Sequence, residues 1–135
     1  MDFKNAAIAV ATDDGTTVSS HFGRALFYEV INFSEGKVVK RERREKASHR
    51  TFASQEGEHH GASHEHRHHT MVSPIMDCRA VIVRGMGQGA VEHLQRANMR
   101  PVLTSLNTIE EVISAISSDA LDHDPRRIHQ HHGHP

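Results

Sequence analysis

The apolar and polar positions of this chain alternate between segments that can be buried and segments that cannot. Asn5 to Thr12, NAAIAVAT, is an unbroken run of small and branched apolar residues, which predicts a central strand buried on both faces. Asp13-Asp14-Gly15 then turns the chain, and Val18 to Arg24 forms a loop. Phe27 to Phe33, FYEVINF, is aromatic and β-branched, as a strand requires. Ser34 to Lys37 supplies a hairpin turn, and Val38 to Arg44 continues as a third strand. Lys40, Arg41, Glu42, Arg43 and Arg44 load that strand with charge, which suits a sheet edge because it discourages pairing with another chain.

Periodicity is lost from about residue 46 to residue 69, where glycine, serine and histidine dominate, so a long inserted loop is expected. Thr70 to Asp77 has helix-like apolar spacing that Pro74 limits to a short or kinked helix. Ala80 to Val83 reads as a second strand buried on both faces. It breaks into Gly85, Gly87 and Gly89, then resumes as a helix with Ala90, Val91, Leu94 and Ala97 on one side and Asn98 as its C-terminal cap. Pro101 to Thr104 is a short fifth strand. Thr108 and Glu111 have capping-box spacing ahead of an apolar stripe of Ile109, Val112, Ile113 and Ile116. Residues 119–135 are polar and predict a solvated, flexible tail.

Three strands joined by short turns make an antiparallel meander, and two more separated by a helix make a right-handed parallel crossover. With the small-residue strand in the middle, the expectation is a five-stranded mixed sheet of order 3-2-1-4-5 with helices on both faces. That is a ribonuclease-H-like three-layer α/β/α domain spanning residues 1–118.

Composition changes this picture in two ways. A formal charge of −1 gives no general reason to expect nucleic acid or an anionic membrane as partner, and no apolar run is long enough for a membrane span. One cysteine excludes an internal disulfide and fits a reducing, cytoplasmic setting. Histidine is the anomaly, with 14 residues, six of them between His59 and His69. His59, His60, His64, His66, His68 and His69, with Glu58 and Glu65 nearby, could converge on zinc, nickel, copper or cobalt through neutral imidazoles. Their spacing fits no defined zinc module, so metal affinity is expected without a fixed geometry.

A strand, a glycine-rich turn and a helix N-terminus in that order direct backbone N–H groups and the positive end of a helix dipole toward one place, which suits an anion. A tight connection in which the glycines only ease packing has the same pattern. Two stretches, VSSHFGRALFYEVI after the first strand and DCRAVIVRGMGQGAVEHL around the fourth, resemble the NifX/NifB-type dinitrogenase iron–molybdenum cofactor domain. The TIEEVISAI helix is similar to that family's closing segment, and the resemblance covers about residues 5–118. It implies a ribonuclease-H-like fold and the binding, carriage or storage of a metal–sulfur cluster of molybdenum with iron or copper. A donor or recipient protein would be the partner. Carried over by motif, the implied positions are His21, Phe22 and Gly23 with Cys78, Gly85, Gly87 and Gly89.

His21 is then either a metal ligand or a loop histidine that steadies a turn. Cys78 is a soft thiolate ligand if exposed, or a small buried hydrophobe. His93 is expected at the surface. Asp13, Asp14 and Glu29 raise a nuclease reading, since carboxylates can hold two magnesium ions, but the aspartates also suit a turn. Three functions follow in order of support: a non-enzymatic cluster carrier, a divalent-metal chaperone or sensor using the histidine loop, and a nuclease.

Overall fold

The computed structural model describes residues 2–46 and 71–129, which build a mixed α/β fold around a five-stranded sheet. Its strands are β1 (Ala7–Thr12), β2 (Phe27–Ser34), β3 (Lys37–Glu45), β4 (Ala80–Val83) and β6 (Arg100–Leu103). Two-residue strands β5 (Met86–Gly87) and β7 (Ile128–His129) pair separately. The spatial order is β3-β2-β1-β4-β6. The order expected from sequence counted the last strand as fifth. It is sixth because Met86–Gly87, inside the glycine turn, is itself a strand.

Strand β1 is antiparallel to β2 and parallel to β4, which is in turn parallel to β6. The carboxyl ends of β1, β4 and β6 therefore share one edge, and the chain's direction of winding reverses at β1. A crevice outside such an edge is where open α/β sheets place ligands. The β2–β3 hairpin turns through Glu35 and Gly36, both at positive φ, the geometry that matches the twist of paired strands.

Strand alternation sorts the core into two clusters. Ala9, Ala11, Tyr28, Val30, Val81 and Val83 cluster with Ala90, Val91 and Leu94 of helix α1 (Gln88–Arg96). Ile8, Val10, Ile31, Ile82 and Val102 cluster with Ile109, Val112 and Ile116 of helix α2 (Ile109–Ser117). Each of those three fully buried α2 side chains contributes about 1.5–3 kcal/mol.

Both helix ends follow the sequence signals. Thr108 Oγ1 accepts from the Glu111 amide at 3.1 Å, and Glu111 Oε1 accepts from the Thr108 amide at 2.9 Å, closing the capping box. Helix α1 stops at Asn98, φ 63°, with Met99 N donating to Leu94 O and Asn98 N to Gln95 O. These two bonds form a Schellman motif, and buried Met99 and Leu94 share one apolar cluster.

The charged strand β3 is at the sheet edge, paired only to β2. Buried Glu29 accepts from Arg41 and Arg43, each at 3.1 Å, so the edge charges are tied to the sheet.

The main departure from the sequence reading is the C-terminal segment. Residues 122–129 are not a solvated tail. Asp122 accepts from Thr104 Oγ1 at 2.5 Å and from the Ser105 amide at 3.0 Å. His123 Nδ1 accepts from the Leu103 amide, and Asp124 N donates to Leu103 O. Pro125–Arg127 forms a 3-10 turn capped by Asp124, and Ile128–His129 then runs parallel to Met86–Gly87. No helix among the described residues is long and apolar enough to cross a membrane.

Candidate functional site

The loop after β1 and the turn after β4 are joined by backbone hydrogen bonds. Ser19 N donates to Ala11 O at 2.8 Å, Arg84 N to Ser19 O at 2.9 Å and Phe22 N to Gly85 O at 2.9 Å. Between them opens a cavity of about 280 Å³ lined by His21, Phe22, Gly23, Arg24, Gly85, Met86, Gly87 and His129. Its size is at the low end for ligand pockets and suits a compact group better than an extended organic one.

Each wall has a local cause. His21 precedes a 3-10 turn, Phe22–Arg24, and its carbonyl accepts from the Arg24 and Ala25 amides and from Ser19 Oγ. That fixes the backbone and leaves the exposed imidazole at the rim. Phe22 is 2% exposed and beds the loop into the core beside Tyr28 and under the Lys46 ammonium, which stands 4.7 Å from its ring centre. Gly85 has to be glycine for close approach: a Cβ there would come within 2.5 Å of Ser20 O and 3.1 Å of His129 Cε1.

The cavity favours negative charge. Gly87 is the N-cap of α1, with no side-chain cap and no acidic residue in the first turn, so the amides at that end lack a side-chain acceptor. Arg24 lines the cavity and no carboxylate does. Arg84, next to Gly85, keeps its buried Nε without a protein hydrogen-bond partner. The Arg24 side chain, uncapped helix amides and imidazole nitrogens are a donor set that fits an anionic group containing metal.

Of the positions carried over by motif, His21, Phe22, Gly23, Gly85 and Gly87 come together here. Gly89 does not line the cavity; it lies within the first turn of α1, which begins one residue earlier at Gln88. Cys78 precedes the opposite end of β4, seven residues and roughly 20 Å of extended chain from Gly85. It is buried, and burial together with the nearby Asp77 charge pushes its thiol up to about 12. The exposure on which its role as a thiolate ligand depended is absent, and it packs as a small apolar residue.

His93 is partly buried rather than plainly at the surface. His59, His60, His64, His66, His68 and His69 lie outside the described residues. Among the described residues no group of three or more histidine, cysteine or carboxylate side chains is placed to hold a metal ion. Asp13, Asp14 and Glu29 serve the fold. Asp14 accepts from the Thr16 and Thr17 amides, which hold its carboxyl down at about 2, Asp13 accepts from Leu26 N, and Glu29 is paired with two arginines.

Sequence reasoning missed His129. Its signal was weak: Asp124 followed by Pro125 is a helix-start pattern, but two residues of strand leave no periodicity to read.

Comparison with known proteins bears on the fold and on the family. The apo form of the orange protein from Desulfovibrio gigas superposes with TM-score 0.62 at 16% identity, covering 92% of this chain and 96% of that one. A candidate NifB protein from Thermotoga gives 0.60 at 22% identity, covering 87% and 92%. A candidate dinitrogenase from Methanocaldococcus jannaschii gives 0.61 at 11% identity, covering 89% and 95%. At these identities the likeness is one of fold. No curated protein matches the sequence. The profile of the family described as "Dinitrogenase iron-molybdenum cofactor" matches residues 4–119, and the chain belongs to that family.

Proposed function

We propose that the chain binds and carries or stores a metal–sulfur cluster, of molybdenum with iron or copper, for transfer between a donor and a recipient protein. The observation that carries this reading is the cavity itself. One small chamber gathers two imidazoles, three glycines and an uncapped helix N-terminus, with arginine and no carboxylate on its walls. Backbone amides can hydrogen-bond the sulfides of an anionic cluster, and His21 can ligate a metal at its edge. The same reading makes the protein a non-enzymatic cytoplasmic carrier. It also takes the architecture as ribonuclease-H-like, which the helix in each core cluster supports.

Protein isolated without oxygen from its own host should be coloured and contain sulfide with molybdenum, iron or copper in fixed ratio. Colourless protein without sulfide would overturn the reading. Deleting residues 57–69 separates it from a chaperone or sensor that works through the histidine loop. A carrier keeps its cluster after the deletion, whereas the chaperone loses its nickel or zinc.

A further inference from the structure

The rim of the cavity holds two imidazoles, one from each side. His21 comes from the loop after β1, and His129 is delivered by β7, whose register places it opposite Gly87. Their ring centroids are 5.7 Å apart with the planes inclined at 50°. Two imidazoles bonded to one ion at about 2.0–2.1 Å put their centroids about 5 Å apart at a tetrahedral angle and about 6 Å apart when linear. The observed separation falls in that interval.

The surroundings argue against incidental contact. Among the described residues, neither ring hydrogen-bonds to a protein group, whereas His123 has its Nδ1 taken by the Leu103 amide. Both rings are exposed, so an ion in solution reaches them. Gly85 beneath is the residue that admits the His129 ring, since a Cβ there would approach its Nε2 to 3.4 Å. The segment bearing His129 is anchored upstream by Asp122, His123 and Asp124 on Leu103, Thr104 and Ser105.

We infer that His21 and His129 form a paired-imidazole site for one soft or borderline metal ion, with residues 122–129 as the strap that brings the second ligand. The inference rests on the reading of the cavity as a place for metal-containing cargo. Among the described residues no further histidine, cysteine or carboxylate joins the pair, so the rest of the coordination shell is open to a cluster sulfide or to water. Low coordination and the adjacent Met86 thioether favour copper(I) over zinc(II).

The test uses the full-length chain with every histidine from 49 to 69 and from 131 to 134 replaced by glutamine, titrated with copper(I) or zinc(II) alone. Imidazole NMR signals of His21 and His129 should move together and saturate at one equivalent. His21→Ala and His129→Ala should each weaken copper(I) binding by about tenfold or more, because each removes one arm of a chelate. The double variant should be within about twofold of either single one, because the arms share one ion. His129→Gln, which keeps a polar side chain on the strand, should lose the ion as His129→Ala does. The site is overturned if only one imidazole responds, or if His129→Gln melts like the parent and binds equally well. Paired binding of copper in a protein that never carries sulfide supports the site and overturns the cluster reading alone. A coloured host protein with unchanged copper affinity in His129→Gln does the reverse.

Discussion

The amide of Phe22 donates to the carbonyl of Gly85 at 2.9 Å, so the loop that carries His21 and the glycine turn after β4 are one backbone unit. The cavity is thus bounded by main chain as much as by side chains, and its shape depends on which residues lack a Cβ.

Gly85→Ala should be costly and Gly87→Ala mild. At Gly85 the new methyl collides with Ser20 O at 2.5 Å, and at Gly87 the nearest atom is 3.9 Å away. The expected losses are about 1–3 kcal/mol for the first, as overpacking, and about 0.5–1 kcal/mol for the second, as a poorer cap. Denaturant unfolding measures both, and metal or cluster content should fall with the first alone.

Asp122→Ala and His123→Ala should weaken metal binding without altering any residue of the cavity wall. Each removes an anchor on Leu103, Thr104 or Ser105, and His123→Ala strips the Leu103 amide of its acceptor, worth about 1–3 kcal/mol if water cannot replace it. Hydrogen exchange at the Leu103 amide should quicken in His123→Ala while β1 and β4 stay protected.

Stability should rise with pH above neutrality. Burial pushes the Lys46 ammonium down to about 7 against the opposing pull of Asp13, while the unfolded lysine titrates near 10.5. Between those values the unfolded chain holds the extra proton, so unfolding becomes harder as pH increases. The slope approaches about 1.4 kcal/mol per pH unit. Below about 7 both states are protonated and the slope vanishes. Lys46→Met should flatten the profile in chemical denaturation from pH 7 to 10.

Thr108→Ala should cost about 1 kcal/mol through loss of the cap on α2, a fall of about 3–5 °C in melting temperature for a domain of this size. The cavity is formed elsewhere, so cluster content should hold.

The sequence was readable wherever one residue type answers one local physical need. The unbroken apolar runs of β1 and β4, the Thr108–Glu111 box and the Asn98 stop each depend on neighbours within a few positions, and each is found. So was the meeting of His21, Phe22, Gly23, Gly85 and Gly87, because residues after parallel strands are delivered to one edge. The strap was not readable. Its order comes from Asp122 and His123 bonding to groups 17 to 20 positions away, and its Ile128 is a single apolar residue among polar ones. Gly89 was misread because a glycine at the second position of a helix looks the same in sequence as one in the preceding turn.

Shielding of Cys78 leaves the described surface without a reactive sulfhydryl at neutral pH. A cysteine introduced at solvent-facing Arg126 would be the only fast target for a maleimide dye. Fluorescence from that one position could then report the docking and release of the C-terminal segment in real time, with no need to remove the native cysteine first.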